Sequence, residues 1–513
     1  MTYIKHISRL VSVFHGREAP ESGLLVGYGA LIEFFQLKMP LPAKLTLISE
    51  MKRQYKTNDW IVLTPRHRPN DTLYKQLVFA LKYEGLNLLF FKKLFDVIEP
   101  NEIIDLVNIE PLGQYSRRIW FIYEWLFQAQ LNVPDLATGN FVPLLDEKLQ
   151  YVIPGTRSSR HRIINNLPGT PGFCPLISKT SKLDKYILSG LSDQKNQYLD
   201  NVHADILQRT SAFLLLKDSR ASFTIEGEIP INRRLQGWAQ VVGSAGMKDI
   251  TKNELLRLQE LVITDHRFVE MGLRKKGGFM GDHNRETGEP LPDHISARWQ
   301  DLDKLIDGWI ESNQLLEKAD MDAVLVASLI AFGFVFIHPY EDGNGRIHRY
   351  LIHHILSRKG FARQGMIFPV SASILKKITD YRRVLESYSH PVLEFVEWKE
   401  AADHNIEVLS ESIDFYRYFD ATKQAEFLYE CVEDTIQNII PEEITYLQKY
   451  DAFKQKVDSY LDLPDKLISL MVRFLEQGGG KLSKRAQEKE FKALTQKEIN
   501  HLQSSYQEIF FSV

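Results

Sequence analysis

Cysteine is scarce in this chain, since only Cys174 and Cys431 occur among 513 residues. Two cysteines so far apart exclude a disulfide framework and any CxxC metal site, and they are typical of a reducing compartment. An excess of basic charge is also lacking, because 63 Lys and Arg are balanced by 66 Asp and Glu, giving a net charge of −3. This balance disfavours nucleic acid as the main partner.

Long hydrophobic runs are missing as well. The longest apolar run, "VLVASLIAFGFVFI" from Val324 to Ile337, includes Ser328 and Gly333, and it is shorter than the ~20 residues of a membrane-spanning helix. We predict that it is a buried core helix. The opening "MTYIKHISRLVSVFHG" alternates polar and apolar residues, so no signal peptide is predicted. These absences predict a cytoplasmic protein with no membrane partner.

Helical periodicity and the placement of proline and glycine predict a mainly α protein with several domains. A single core serves at most roughly 250–300 residues, so a chain of 513 residues requires more than one unit. We predict a helical N-terminal domain over residues 1–150, with a short strand at "WIVLT" before Pro65. Residues 151–200 are predicted to be a Pro/Gly-rich linker with a connecting helix, residues 201–404 a helical core domain, and residues 405–513 a helical C-terminal domain.

The segment "HPYEDGNGRIHRYL", residues 338–351, has the features of a phosphate-binding loop. Pro339 prevents the preceding apolar helix from continuing. Gly343 and Gly345 allow backbone N–H groups to converge, and a helix from about Asn344 directs its positive end to the same place. This combination predicts an anion pocket.

Charged side chains extend this pocket into a site for a nucleotide. Arg346 and Arg349 are three residues apart, so they share a helix face and are predicted to point at the ligand. Asp342 would repel a phosphate unless Mg²⁺ lies between them, and Mg²⁺ is typically held by one carboxylate plus phosphate oxygens. His338, with an ordinary pKa of about 6.5, is suited to remove a proton from an attacking hydroxyl.

Three further histidines follow on the same helix. His353 and His354 are five and six residues from His348, and this is not the i, i+4 spacing that places two imidazoles on one helical face. We therefore predict core packing for them and reject a zinc site.

This motif resembles the Fic family signature HxFx(D/E)GNGRxxR, with Tyr340 in place of its phenylalanine. The resemblance implies a helical Fic core within residues 201–404, with a small β-hairpin flap. It implies transfer of AMP from ATP to a Ser, Thr or Tyr hydroxyl of a target protein, with Mg²⁺ as cofactor. By this resemblance His338 is the general base, Asp342 holds Mg²⁺, and Arg349 meets the γ-phosphate. The anion pocket would comprise Gly343, Asn344, Gly345 and Arg346, and Tyr381 resembles the aromatic residue beside the adenine.

A second match, "SFTIEG" from Ser222 to Gly227, resembles the inhibitory pattern (S/T)xxxE(G/N) of the same family. Ser222 and Glu226 are one turn apart, and Gly227 predicts a helix end, where the carbonyl ends of the dipole disfavour an unpaired carboxylate. Glu226 therefore requires a cation. If that cation is Arg349, the carboxylate takes the place of the γ-phosphate, and a helix near residues 212–227 is autoinhibitory.

The segment "GGFMGDHNRETGEPLP", residues 277–292, lies where the family carries the flap. Such a hairpin can hold a target segment by main-chain pairing. It does not reveal which protein is the target.

Several alternatives stay open. The same residues could remove AMP from a modified protein, with Glu226 orienting water. A non-catalytic regulator could instead use the pocket as a nucleotide sensor and bind a partner or DNA through its tail near Lys481 to Arg485. The basic loop "RSSRHR", residues 157–162, is assigned no role. A homodimer is left open, because no sequence feature fixes the oligomeric state.

Overall fold

The computed structural model describes residues 6–51, 53–263, 265, 267–362 and 368–511. About 54% of the chain is helical, which confirms the predicted mainly α class. None of the helices in these ranges has both the length and the apolar composition needed to cross a membrane.

The first described elements include a five-stranded sheet, so the prediction of a helical domain over residues 1–150 is wrong for the segments of residues 9–63 that form strands. The strands lie in the order β1-β2-β3-β5-β4 and are β1 (Arg9–Phe14), β2 (Arg17–Val26), β3 (Leu45–Ile48), β4 (Tyr55–Lys56) and β5 (Trp60–Leu63). Strands β3 and β5 pair in parallel, and β5 is the predicted strand at "WIVLT". Both are fully buried. A strand that is buried on both faces, such as β3, lacks the alternation of polar and apolar residues that distinguishes a strand from a helix segment.

Five helices complete the N-terminal part: α1 (Gly27–Phe35), α2 (Leu73–Tyr83), α3 (Leu88–Phe95), α4 (Pro100–Ile109) and α5 (Gln114–Phe127). A 3-10 turn at Pro65–His67 also belongs to this part, and a second 3-10 turn lies much later in the chain, at Trp299–Asp301. Helix α1 contacts both α2 and β3. Residues 73–127 are thus mainly helical, whereas residues 128–150 contain no helix.

Residues 142–200 contain three short strands and two helices: β6 (Val142–Pro143), β7 (Thr156–Ser158), β8 (Ile163–Asn165), α6 (Ser181–Leu188) and α7 (Leu191–Asp200). The predicted linker is not a linker, because Phe173 and Cys174 are completely buried. A Cβ added to Gly172 would lie 2.6 Å from the Cα of Gly308. Glycine here permits close backbone packing against the core, rather than an exposed loop.

The helices around the predicted site are α8 (Ala204–Ile225), α9 (Asn232–Gly243), α10 (Lys252–Val262), α11 (Leu302–Lys318), α12 (Ala323–Ile337), α13 (Asn344–Arg358), α14 (Val370–Lys376) and α15 (Ile378–Leu393). Helix α12 is the predicted buried helix, and Asp322 caps it by accepting hydrogen bonds from the N–H groups of Val324 and Leu325. Strands β9 (Phe279–His283) and β10 (Pro290–Ile295) form an antiparallel hairpin at the place predicted for the flap.

The remaining elements are β11 (Trp398–Glu400), β12 (Ile406–Val408), α16 (Ile413–Arg417), α17 (Thr422–Asp434), a π-helical turn (Thr435–Ile439), α18 (Ile440–Asp458), α19 (Asp465–Gln477), α20 (Lys484–Lys489) and α21 (Gln496–Phe510). One continuous core extends from Tyr28 to Ile444. A separate core lies between Phe453 and Tyr506. Helix α18 contributes residues to both cores and so joins the C-terminal unit to the rest.

Candidate functional site

His338 ends helix α12 in the left-handed backbone region, with a φ of 51°. Its N–H donates to the carbonyl of Phe334 at 3.0 Å. Arg274 fixes the turn, because its Nε donates to the carbonyl of His338 at 2.9 Å and its backbone N–H donates to the carbonyl of Pro339 at 3.0 Å. A left-handed non-glycine residue costs about 1–2 kcal/mol, so these contacts hold the backbone of His338 in a strained conformation of the kind found at functional sites.

The imidazole of His338 is neutral at pH 7. Burial, followed by the charge of Arg274, lowers its pKa to about 4. The ring of His294, from strand β10, lies 6.4 Å away between centroids, and its Nε2 donates to the carbonyl of Phe336 at 2.9 Å. Burial and then His338 lower the pKa of His294 to about 3. The flap therefore places a second neutral imidazole beside the predicted base.

Asn344 closes the loop after His338. Its Oδ1 accepts from the N–H of Tyr340 at 3.0 Å, and its Nδ2 donates to the carbonyl of Tyr340 at 2.7 Å. Gly343 has a φ of 93°, a region that favours glycine. The side chain of Asn344 thus shapes the predicted anion pocket by holding its backbone.

The carboxylate of Glu226 lies at the start of helix α13. A Cβ on Gly345 would be only 2.1 Å from Oε1 of Glu226, so the carboxylate takes the space that a side chain there would fill. The positive end of a helix is a ready-made anion site. The residues predicted to form the anion pocket therefore enclose a carboxylate of the chain itself.

Arg349 is the cation that binds this carboxylate. Its Nη2 is 2.7 Å from Oε1 of Glu226, and its Nε donates to Oγ of Ser222 at 2.8 Å. Burial would raise the pKa of Glu226, but Arg349, and then Arg346, outweigh it and lower the pKa below the usual value. The carboxylate is therefore ionised at neutral pH and is held as one member of a charged pair.

Helix α8 ends where the sequence predicted. Gly227 has a φ of 76°, and its N–H donates to the carbonyl of Thr224 at 3.0 Å, while the N–H of Glu228 donates to the carbonyl of Phe223 at 3.0 Å. This pattern is the Schellman ending of a helix. It turns the chain directly after Glu226.

A buried carboxylate one turn before Ser222 anchors α8 to its neighbours. Asp218 is 1% exposed, and it accepts hydrogen bonds from the N–H of Ser371 at 2.7 Å and from its Oγ at 2.9 Å. Nε2 of His353 lies 2.8 Å from the same carboxylate. These contacts tie α8 to helices α13 and α14.

The other two histidines of α13 have separate structural partners. Nδ1 of His348 donates to the carbonyl of Ala331 at 2.7 Å, and Nδ1 of His354 accepts from the N–H of Gly246 at 3.2 Å. Burial lowers the pKa of His348 to about 3. These contacts are those of core histidines.

Arg346 lies between two carboxylates and is 1% exposed. Its Nη1 is 2.8 Å from Oε1 of Glu228, and its Nη2 is 3.0 Å from Oδ1 of Asp342. Asp342 was predicted as the metal-binding residue, whereas Glu228 was missed. The only signal was a second acid two residues after Glu226, and its distant partner was not visible in the sequence.

Tyr381 is buried behind α13. Its ring stacks on His348, with 6.1 Å between centroids and 23° between planes, and burial raises its pKa to about 12. This position favours packing over the adenine-side role that the resemblance implied.

The donor set suits Mg²⁺ shared with phosphate. Among the described residues, no three side chains of His, Cys, Asp or Glu converge to hold a metal. The side chain of Asp342 is 50% exposed and lies beside the start of α13. A single accessible carboxylate is appropriate, because Mg²⁺ in nucleotide sites takes its remaining ligands from phosphate and water.

A helical domain thus brings a strained histidine, a glycine loop and two buried arginines around an anion pocket. Residues 249–356 match the model of the Fic/DOC family. The predicted family is confirmed, and the chain carries a Fic domain over these residues. Ser222, Glu226 and Glu228 precede the matched segment.

Two curated relatives, each named "Protein adenylyltransferase Fic", match part of the chain. The protein from Nematostella vectensis is 29% identical over 114 residues, and the protein from Culex quinquefasciatus is 30% identical over 115 residues. The aligned segments cover 22% of this chain, and 25% and 22% of the two relatives.

Two solved structures are also similar. A Fic family protein from Desulfovibrio desulfuricans G20 has a TM-score of 0.37 at 17% identity, over 65% of this chain and 86% of that chain. A Fic domain containing signaling protein from Bacteroides thetaiotaomicron VPI-5482 has a TM-score of 0.36 at 15% identity, over 51% of this chain and 97% of that chain.

Proposed function

We propose that this protein transfers AMP from ATP to a hydroxyl group of a target protein, and that Glu226 inhibits the transfer until it is displaced. The observation that carries the proposal is the carboxylate of Glu226 at the start of α13, paired with Arg349 at 2.7 Å. An internal anion in an anion pocket supports a site that takes phosphate when the carboxylate leaves. The names of the two curated relatives support adenylyl transfer as the reaction.

In this proposal His338 acts as the general base. Its low pKa keeps the imidazole unprotonated at neutral pH, so it can accept the proton of a Ser, Thr or Tyr hydroxyl. The hydroxyl oxygen then attacks the α-phosphorus of ATP, the bond to the β-phosphate oxygen breaks, and pyrophosphate leaves. The proton stays on His338 until solvent or the leaving group takes it.

The phosphates would be bound by the start of α13 and by the two arginines. Arg349 would contact the γ-phosphate, and Arg346 the phosphates nearer to Asp342. When Mg²⁺ is bound, held by Asp342 and phosphate oxygens, it neutralises charge that develops during the transfer. Main-chain pairing with the flap strands β9 and β10 would align the target hydroxyl.

Inhibition follows from the same contacts. While Glu226 occupies Arg349, the guanidinium is unavailable to a γ-phosphate, and the carboxylate repels the triphosphate. Replacement of Glu226 by glycine removes both effects at once.

The test measures transfer of label from ATP labelled on the α-phosphate to proteins of a cell lysate. We expect strong labelling with Glu226→Gly, little with the wild type, and none with Glu226→Gly/His338→Ala. Glu260→Gln, an exposed glutamate on α10, is the matched control and should behave as the wild type. Mass spectrometry of the labelled proteins would identify the target and the modified residue.

Absence of labelling by Glu226→Gly with every lysate would contradict the proposal. Incubation with an AMP-modified protein distinguishes the reverse activity. If the wild type removes AMP and Glu226→Gly does not, the carboxylate orients water, and removal of AMP is the main reaction.

A further inference from the structure

A second carboxylate after helix α8 lies on the second arginine of the site. Glu226 pairs with Arg349, and Glu228 pairs with Arg346, with 2.7 and 2.8 Å between the charged atoms. The two acids are two residues apart, and the two arginines are three residues apart on α13. In the described structure, therefore, each of these two guanidinium groups is engaged by a carboxylate from the same short segment.

The backbone ending of α8 brings Glu228 to this position. Gly227 reverses the chain with its φ of 76°, and the N–H of Glu228 donates to the carbonyl of Phe223 at 3.0 Å. The ring of Phe223 contacts the guanidinium of Arg346, with 5.4 Å from Cζ to the centroid. Glu228 is thus directed at Arg346 by a defined turn, and not by the chance position of a long side chain.

Arg234 holds Glu228 from the other side. Its Nη1 pairs with Oε2 of Glu228, and its Nη2 donates to the carbonyl of Val262 at 3.1 Å. The guanidinium of Arg234 also lies 4.8 Å from the centroid of Phe223. Helix α9, through Arg234, therefore stabilises the contact between Glu228 and α13.

The two arginines differ in what else they contact. Arg346 also pairs with Asp342 at 3.0 Å, so it lies on the side of the pocket where a metal-bound phosphate would be. Arg349 instead contacts Ser222, through Oγ at 2.8 Å and the carbonyl at 2.7 Å, so it lies on the side of α8. A nucleotide spanning the pocket would present different phosphates to the two arginines.

We propose that Glu228 determines nucleotide selectivity by withholding Arg346 from the inner phosphates, whereas Glu226 withholds Arg349 from the γ-phosphate. This inference rests on the proposed function for the orientation of the nucleotide. Glu228 is 30% exposed on its side chain, so its carboxylate can move from Arg346 into solvent, and the guanidinium of Arg346, which stays buried, keeps Asp342 as a partner. Asp342 then stays as the local partner of Arg346 and of the metal.

The test is isothermal titration of ADP and of ATP, each with Mg²⁺, into the full-length protein. Glu228→Gln should tighten ADP binding about tenfold over the wild type. It should tighten ATP binding by a smaller factor, because Glu226 still occupies Arg349. Glu226→Gly should tighten ATP binding more than ADP binding. The double variant should bind both nucleotides most tightly and should label proteins faster than Glu226→Gly alone.

Two controls keep the result interpretable. Glu260→Gln should match the wild type for both nucleotides. Glu228→Ala should reproduce the effect of Glu228→Gln, so a loss of folding in one variant, detected by its melting temperature, does not decide the outcome.

ADP binding by both Glu228 variants that equals or falls below that of the wild type would overturn the inference, because Glu228 would then support Arg346. If Glu226→Gly labels proteins while the Glu228 variants change nothing, the proposed function stands and this inference fails. If the Glu228 variants tighten ADP binding but no variant transfers label, the inference on nucleotide selectivity stands and the proposed transfer fails.

Discussion

At the level of a single residue, the environment of His338 lowers the pKa of the imidazole further than a general base requires. A general base works best when its pKa is close to the working pH, yet burial and Arg274 lower the pKa of this imidazole to about 4. A bound triphosphate would bring negative charge close to the ring and raise its pKa. Bound nucleotide would thereby strengthen the base that accepts the proton of the target hydroxyl, and the resting site would hold a weak base.

This environment predicts an unusual pH profile for kcat/KM, which reports the base of the free enzyme. The base must be unprotonated, and its pKa is about 4, so activity should be lost only as pH falls toward that value. We expect the labelling rate of Glu226→Gly, measured with Mg²⁺ and ATP well below KM, to stay nearly flat between about pH 7.5 and pH 5.5.

The control is the melting temperature at each pH, which separates loss of the base from acid unfolding. A half-maximal rate at about pH 6.5, the ordinary value for histidine, would contradict the expectation. It would show that the imidazole is exposed to water in the active state.

At the level of an element, helix α8 is held by buried apolar residues such as Leu214 and Phe223 and also by polar contacts. Asp218 and Glu226 attach it to the domain, whereas Phe213 and Leu216 are 49% and 37% exposed. Apolar burial usually supplies most of the stability of a helix in a protein. Because Phe223 and Leu214 are buried in the main core, the displacement of Glu226 is best placed at the C-terminal end of α8, after Phe223.

The turn at Gly227 provides a test of this idea that leaves both carboxylates in place. Its φ is 76°, and a Cβ there would meet nothing within 4 Å, so Gly227→Ala adds only backbone strain of about 1 kcal/mol. This strain weakens the ending of α8, and it should shift the population toward the displaced state by about fivefold. We expect labelling above the wild type and below Glu226→Gly.

Gly479→Ala is the matched control, because Gly479 has a φ of 60°, is equally open, and lies in the C-terminal unit. Both variants should lose a similar amount of local stability. If Gly227→Ala labels proteins no faster than Gly479→Ala, the turn does not contribute to inhibition.

The elements around the site were predictable because their signals are local. Pro339 ends one helix, Gly343 precedes the next, and Gly227 ends α8, as expected from the conformations these residues favour. In each case the residues that determine the structure are neighbours in the chain. The hairpin β9–β10, in contrast, was expected from the place of this segment in the resembling family.

The contacts that complete the site were not predictable, since they join distant segments. Arg274 reaches His338, Asp218 reaches Ser371, and Glu228 reaches Arg346. A periodic pattern places each of these residues on an element, but it does not choose the partner. The N-terminal sheet escaped prediction for a similar reason, because β3 and β5 pair across intervening residues.

At the level of the whole molecule, the N-terminal helices share one core with the Fic domain, whereas the five-stranded sheet buries most of its apolar residues in two clusters of its own. The buried cluster that begins at Tyr28 continues through α12 and α13 to Ile444. A change in the N-terminal helices that reach this core should therefore affect the stability of the Fic domain. The C-terminal unit, with its separate core, should be less sensitive.

Glu84 allows this coupling to be tested by pH. Its Oε2 accepts from the N–H of Tyr28 at 2.8 Å at the start of α1, and burial raises its pKa to about 7 despite hydrogen bonds from Thr46 and Tyr28. Glu226 also lies at a helix start, but Arg349 helps to lower its pKa. The same kind of position thus stabilises a neutral acid in one case and a carboxylate in the other.

The sign of the effect follows from the raised pKa. Glu84 is protonated in the folded protein below about pH 7, whereas in the unfolded chain it loses its proton at about pH 4.5. Its contribution to stability is therefore fully present below about pH 4.5 and is lost as pH rises through about 7, by up to about 3 kcal/mol.

We expect the melting temperature of the wild type to fall more steeply between about pH 5 and pH 8.5 than that of Glu84→Gln, whose amide cannot ionise. Glu102→Gln, at an exposed position on α4, should keep the wild-type slope. Because the core is continuous, the ionisation of Glu84 should affect the same unfolding transition as the candidate nucleotide site. In Glu226→Gly/Glu84→Gln, that transition is the one whose melting temperature rises when Mg²⁺ and ATP are added. Parallel curves for the wild type and Glu84→Gln would mean that Glu84 is ionised in the folded protein, and that the start of α1 stabilises its charge.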